Sequence, residues 1–217
     1  SFIPICAESG AVGMVIFMVI NLAAFLQEHF DISNTDLLRS LAEHSDILNI
    51  PRKNKFHVLG ELSPTLDILV DGLVRGFFPD GSGKEITDCF AFAPGTPLVT
   101  SIELGGPSVI NLEALTDVTL LSIPISYLLT LMEEPVVLRL VISFLTLALQ
   151  RHWEVKMVLA QRSTKARYDW FLEKYPGLID QVSHQYIASF LGVSPVTLSR
   201  TRHVEDKNRT SKTQNNG

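Results

Sequence analysis

The sequence predicts an α+β fold: an antiparallel β domain, then one long helix, then a pair of short helices near the C-terminus. Three observations predict it. Between about residues 47 and 123, short apolar or alternating runs are broken by Pro and Gly at spacings near ten residues, which reads as an antiparallel barrel or sandwich. From Val136 to about Arg162 there is no Gly or Pro. At residues 185–200 the stretch "QYIASFLGVSPVTLSR" sets a glycine between two short helical patterns and crowds Ser, Thr and Arg onto the second.

The N-terminal "AVGMVIFMVINLAAFL" (11–26) carries no charge over 16 residues, short of the roughly 20 that span a bilayer. Only Glu8 precedes it among charged residues, so the positive region of a signal peptide is missing. Three readings stay open for it: a buried or dimer-packed helix, an upstream extension foreign to the fold, or membrane contact. "SNTDLLRSLAEHS" (33–45) has a helix start, with Ser33 or Asn34 as N-cap and Asp36 in the first turn.

Strand runs follow as "FHVLGEL", "LDILVDGLVRGFF", "KEITDCFAF", "PLVTSIEL", "SVINLEAL" and "VTLLSI", with turn signals at Pro51, Ser63-Pro64, Asp71-Gly72, residues 79–83, Pro94-Gly95 and Gly105-Gly106-Pro107. "ISYLLTLMEEP" (125–135) reads as a short helix closed by Pro135. In the next segment Val137, Leu140, Val141, Phe144, Leu147, Ala148, Val155 and Val158 form one stripe. That spacing makes a helix of roughly 27 residues and about 40 Å. Its partner is the strand domain or a second copy of the same helix. His152 and Trp153 sit where the stripe turns polar, and a packed, hydrogen-bonded histidine is expected there. "STKARYDWFLEKYPGL" (163–178) starts on Ser163 as N-cap, is closed by Pro176 and Gly177, and presents Tyr168, Phe171, Leu172 and Tyr175.

In the opening stretch, Ser183 caps a short helix whose Ile187, Ala188 and Leu191 face inward. Gly192 supplies a turn conformation that a Cβ resists. Ser194 caps a second helix, Pro195 takes its first position, and Leu198 faces inward. Two such helices joined through a glycine turn make a helix-turn-helix, which places the start of its second helix in the major groove. Here that start is Pro195, Val196, Thr197, Ser199 and Arg200. Arg200 suits base readout, because a guanidinium bonds guanine O6 and N7 together. Ser183, Gln185, Thr197 and Arg202 suit phosphates, and Ser194 holds the cap.

The charge balance agrees. Residues 151–217 carry 11 Lys/Arg against 6 Asp/Glu, while residues 1–150 carry 7 against 17, within a formal net charge of −5. Only the C-terminal third is suited to a polyanion. Two cysteines, Cys6 and Cys89, are too few for a disulfide scaffold, and a reduced, cytoplasmic setting is expected. The six histidines are scattered, with no HxH pair, no GxSxG, no P-loop and no paired catalytic carboxylates. Enzyme chemistry and a metal site are therefore not expected.

The signature "ARYDWFLEKYPGLID…QYIASFLGVSPVTLSRTR" resembles the Crp–Fnr family of bacterial transcription regulators, in particular the branch whose chain ends soon after the recognition helix. "LVDGLVRGFFPDGSGKEITDCFAFAPG" is similar to that family's effector domain, and the resemblance covers roughly residues 37–203. It implies a cyclic-nucleotide-binding-type β-roll (jelly-roll or cupin-like), a long dimerisation helix and a C-terminal helix-turn-helix bundle. The expected division is an apolar helical extension at 1–30, the effector-type roll at 31–134, the dimerisation helix at 135–162, the DNA-binding unit at 163–206 and a disordered tail at 207–217. The implied partners are double-stranded DNA, a second copy of the chain through 135–162, a small effector and RNA polymerase, with no membrane.

The sequence departs from the family's pattern in places. The phosphate cassette aligns with "IELGGPSVINLEA", which keeps Glu103 and Pro107 but has Ile102 for the Gly and Ser108 for the phosphate-binding Arg. Without that Arg a buried cyclic phosphate is an unpaired charge, so cyclic-nucleotide binding is not expected. Two distant cysteines cannot hold an iron–sulfur cluster, haem ligation by His57 or His152 has no positive support, and no cofactor is assigned. Arg75, Lys84, Glu85, Glu103 and Ser108 are the candidate effector-pocket residues. The plainer alternative pairs Arg75 with Glu85 or Glu103 on the sheet. Val196 stands where many relatives have Glu, which changes the expected half-site. The usual wing is missing after the recognition helix, and Lys207, Arg209 and Lys212 are expected to supply its phosphate contacts. The expectation is a homodimeric, sequence-specific regulator; the rival is a degenerate member serving as a protein-interaction or ligand-binding module without DNA binding.

Overall fold

A computed structural model of the chain describes residues 22–30, 32 and 34–202. Most of the apolar 11–26 segment, and the tail with Lys207, Arg209 and Lys212, lie outside the described residues.

Two four-stranded antiparallel sheets face each other. The first has the order β1 (Asp46–Ile50), β8 (Val118–Pro124), β3 (Thr65–Asp71) and β6 (Pro97–Leu98). The second has the order β2 (Lys55–His57), β7 (Asn111–Ala114), β4 (Val74–Pro79) and β5 (Glu85–Ala91). Leu69, Val74, Leu112, Ala114, Val118 and Leu120 fill the space between them. β3 and β8 are buried along nearly their whole length, because each is covered on both faces. β7 alternates instead.

The outer face of the first sheet is covered by helices. Residues 22–30 are helical (α1), and α2 (Thr35–Glu43), α3 (Ile125–Thr130) and the start of α4 (Pro135–Gln161) join them. Leu26, Leu38 and Leu41 meet Ile68, Leu121 and Ile123 there, with Val137, Val141 and Phe144 from α4. Asn34 is the N-cap of α2, its side chain accepting from Asp36 N and Leu37 N at 3.1 Å each.

The long helix has 27 residues, as its sequence predicts, with Pro135 in its first turn. Val137, Val141 and Phe144 of the expected stripe are buried on the roll, and Val158 is buried against the C-terminal helices. Leu147 is exposed. His152 and Trp153 are exposed too, which corrects the expectation of a packed histidine: the helix crosses there from one packing partner to the next. "FHVLGEL" and "PLVTSIEL" pair as strands only over β2 and β6. Their remainders bond to the 108–109 segment instead, through Gly60 N to Ser108 O and Ser108 N to Glu61 O, both 2.8 Å, and Val109 N to Thr100 O at 2.7 Å.

A chain of hydrogen bonds crosses the roll interior. Ser122 Oγ donates to Asp67 Oδ1 at 2.6 Å, and Asp67 Oδ2 meets His57 Nε2 at 2.7 Å. His57 Nδ1 meets Ser63 Oγ at 3.1 Å, which in turn meets Thr100 Oγ1 at 3.2 Å. All five side chains are buried, so each needs these partners.

β4 and β5 shift register between Gly76 and Phe77. A Cβ on Gly76 would collide with Cys89 Sγ and crowd Ile110 Cδ1 at 3.1 Å. Burial, with the Asp88 carboxylate beside it, pushes the Cys89 thiol up to about 12, so the sulfur stays protonated. Gly76→Ala is expected to lower stability by about 1–3 kcal/mol. In a Cys89→Ala background the same change should cost clearly less, read from urea melts of the four proteins.

Candidate nucleic-acid interface

The C-terminal unit is α5 (Thr164–Lys174), α6 (Leu178–Gln181), α7 (His184–Phe190) and the helical residues 195–202 (α8). Tyr168, Trp170, Phe171, Leu178, Ile187, Phe190 and Leu198 form its core, which also takes in Leu73 and Phe90 of the roll. Ser163 caps α5 by accepting from Ala166 N at 3.4 Å. Burial raises the Glu154 carboxyl on α4, but bonds from Lys174 at 2.7 Å and Trp170 Nε1 at 3.1 Å outweigh it and hold the group below its ordinary value.

The turn between α7 and α8 follows from local sequence. Gly192 has φ +65°, the left-handed region that glycine occupies freely. Gly192 N donates to Ser189 O at 3.1 Å and Val193 N to Ala188 O at 2.9 Å, the paired bonds of a Schellman motif. Arg167 reinforces it, donating from Nη1 to Leu191 O at 3.0 Å and from Nε to Arg162 O at 2.9 Å. One guanidinium thus ties the end of α4 to the end of α7. Ser183 caps α7 through Gln185 N at 3.3 Å. Ser194 caps α8 through Thr197 N at 3.1 Å, with the two hydroxyls 2.8 Å apart.

Leu198 is buried and points α8 inward on one side. Ser194, Pro195, Val196, Thr197, Ser199 and Arg200 are exposed, as are Ser183 and Gln185 on α7. Val196 and Arg200, four residues apart, share a face. Arg202 is turned back onto the unit, with Nη1 2.7 Å from His184 Nε2 and Nη2 3.9 Å from Asp180 Oδ1. So the structure leaves eight of the nine predicted DNA-facing residues exposed and gives Arg202 intramolecular partners.

The five candidate effector residues are not gathered. Lys84 is exposed beside the β4–β5 turn, its backbone N donating to Asp80 Oδ1 at 3.0 Å. Glu103 lies in the turn after β6, and its backbone O accepts from Ser101 Oγ at 2.7 Å. Ser108 is buried and donates to Ile110 O at 2.6 Å. Arg75 and Glu85 do meet, though as part of a joint between the roll and the helix-turn-helix.

That joint centres on Arg75, which is 1% exposed. Its Nη1 donates to Glu85 Oε2 at 2.8 Å and Glu113 Oε2 at 3.4 Å, and its Nε to Thr87 Oγ1 at 3.0 Å. Its Cζ lies 4.3 Å from the Phe77 ring centroid and 3.7 Å from that of Tyr186 on α7. Beside it Thr87 N donates to Ser189 Oγ at 2.9 Å. Phe90 packs against Phe190, Phe171 and Tyr175. Tyr186, Ser189, Thr87, Glu113 and Arg167 were not singled out by sequence, because no periodicity or motif marks contacts between residues 24 to 102 positions apart or further.

No protein-family model and no curated protein sequence matches the chain. Solved structures do. FixK2 from Bradyrhizobium japonicum is 18% identical, with a TM-score of 0.69 over 76% of this chain and 85% of that one. CLP, a c-di-GMP responsive global regulator from Xanthomonas campestris, is 17% identical, with a TM-score of 0.62 over 76% and 88%. A transcriptional regulator of the CRP/FNR family from Thermus thermophilus is 19% identical, with a TM-score of 0.61 over 75% and 87%. At such identities the likeness establishes the fold: this chain has the roll, long helix and helix-turn-helix of the CRP/FNR regulators.

Arg75→Ala is expected to destabilise the protein by about 3 kcal/mol, since it leaves Glu113 without its cation in a largely buried place. Arg75→Lys should rescue little, because an ammonium cannot stack and fork together. A double-mutant cycle with Tyr186→Ala should give a coupling of about 1–2 kcal/mol across the joint, read from urea melts.

Proposed function

We propose that the chain is a homodimeric, sequence-specific DNA-binding regulator whose roll senses a small effector other than a cyclic nucleotide. The observation that carries the reading is the helix-turn-helix itself. The Gly192 turn, the Ser194 cap and the buried Leu198 hold α8 so that Val196 and Arg200 face solvent. A helix presented this way fits the major groove. Arg200 reads guanine, Val196 touches a thymine methyl, and the Ser183, Gln185 and Thr197 side chains fix register on phosphates. The domain division expected from sequence, 31–134, 135–162 and 163–206, is adopted with this reading.

The second copy is supported by α4. Leu138, Ile142, Leu145, Leu149 and Trp153 are exposed at spacings of four, three, four and four residues, a seam of the kind that pairs helices. This row lies beside the one buried on the roll, so the helix is apolar on two sides. Pro135–Ala160 is also long and apolar enough by composition to cross a membrane. Arg139, Arg151, Glu154 and Lys156 leave no uncharged stretch of the roughly 20 residues a span needs, and pairing accounts for the seam better. Two α8 helices in such a dimer read half-sites about one helical turn apart. RNA polymerase as a further partner and a cytoplasmic setting belong to the same reading.

Fluorescence anisotropy against the DNA upstream of the protein's own gene, across a salt series, tests the DNA reading. Nanomolar binding that falls steeply with salt is expected. Arg200→Ala should weaken it by about 1–3 kcal/mol and relax one base position. Weak binding that Arg200→Ala leaves unchanged would favour an interaction module without DNA binding. Ile142→Glu with Leu149→Glu should convert a dimer to a monomer in light scattering while the roll stays folded.

A further inference from the structure

A cavity of about 50 Å³ lies between the roll, the 98–104 segment and α4. Its walls include Leu66, Leu98, Ile125, Val141 and Phe144, and none of its lining residues carries a charge. Ser63 and Thr100 line it as well, and they are the terminal members of the buried chain Asp67–His57–Ser63–Thr100. Ile102 and Leu145 line it and are exposed at 87% and 42%, so they stand at its mouth.

From this geometry we infer that the cavity takes a small, uncharged, mainly apolar molecule bearing one hydroxyl, read by Thr100 and Ser63. The inference rests on the reading of the roll as a sensor and names what it senses. Two physical points support it. A neutral lining gives a phosphate or carboxylate no counter-ion, and a buried unpaired charge is strongly disfavoured. The second point concerns direction.

His57 Nε2 faces the Asp67 carboxylate and Nδ1 faces Ser63. When Nδ1 accepts, Ser63 donates to it and Thr100 donates to Ser63, which leaves Thr100 offering lone pairs to the cavity. When Nδ1 donates as well, Nε2 still donates to the carboxylate, which only accepts, but the Ser63 and Thr100 bonds reverse and Thr100 offers its proton. A ligand carbonyl satisfies only the second arrangement and a ligand ammonium only the first. A hydroxyl, which both donates and accepts, satisfies either. Among the described residues Thr100 Oγ1 bonds to Ser63 alone, so a position on that oxygen is left for the ligand.

Size sets the expected affinity. At roughly 10–15 Å³ per water-sized group the cavity holds about four non-hydrogen atoms. A ligand of that size binds no tighter than about 40 μM, and ordinarily near the millimolar range.

The test titrates the full-length protein, with its Leu and Val methyls 13C-labelled, with 1-propanol and with 1-chloropropane, a molecule of similar size without a hydroxyl. Saturable shifts at Leu66 and Val141 are expected with propanol, with chloropropane about tenfold weaker. Thr100→Val should weaken propanol by a similar factor, and Thr100→Ser should restore it. Ser63→Ala serves as the second variant should Thr100→Val disturb the methyl spectrum. Equal binding of the two probes, propanol binding indifferent to both variants, or no saturable shift up to about 0.1 M would overturn the inference. DNA anisotropy on the same preparation separates its failure from that of the regulator reading. Salt-sensitive DNA binding with no alcohol discrimination removes only the ligand class. Alcohol discrimination with no DNA binding keeps the site and removes the regulator.

Discussion

The arrangement of the two halves of this molecule depends on one buried guanidinium. Arg75 is fixed by Glu85, Glu113 and Thr87 within the sheet, and it lies between the rings of Phe77 and Tyr186. A cation this deep is tolerated only when it is fully partnered, and one of its partners belongs to the helix-turn-helix. The position of α7 is thereby coupled to the position of β4 and β5. Ser189 on Thr87 N and Phe190 on Phe90 add directional and apolar contacts to the same joint. A shift in the second sheet therefore bears directly on α7.

The long helix supplies the other constraint. Its first half is packed on the roll through Val137, Val141 and Phe144, and its end is fastened to α5 and α7 through Glu154 and Arg167. Between these anchors a second apolar row is exposed. The helix is apolar on two sides, and among the described residues only one of them is covered. The cavity abuts this helix at Val141, Phe144 and Leu145, while Leu145 also belongs to the exposed row. The proposed ligand site and the proposed pairing seam therefore share a side chain, so on this reading occupancy of one bears on the geometry of the other.

The fold was legible in the sequence wherever the signal is local. The period of the strand runs, the 27 residues without an internal Gly or Pro, the Asn34, Ser163, Ser183 and Ser194 caps, and the Gly192 turn each depend on neighbours within a few positions. The same is true of the exposed start of α8, since Leu198 inward puts Val196 and Arg200 outward. Two readings depended on more than neighbours, and the structure changed them. His152 was expected to be packed but is exposed, because burial depends on which elements pack around the helix and periodicity does not encode that. Arg75 and Glu85 were grouped with Lys84, Glu103 and Ser108 as pocket candidates, the plainer alternative pairing Arg75 with Glu85 or Glu103; the structure pairs Arg75 with Glu85 and adds Glu113.

The sequence by itself determined the kinds of elements, their order, their caps and the residues exposed at the start of α8, because backbone conformation and amphipathic period are set by short-range sterics and solvation. Only the tertiary structure decided which buried polar groups meet. The chain from Ser122 through Asp67, His57 and Ser63 to Thr100 joins separate strands and loops, and the Arg75 joint links residues more than a hundred positions apart. Desolvated polar groups must find partners wherever the packed chain brings them, and that pairing has no period along the sequence from which to read it.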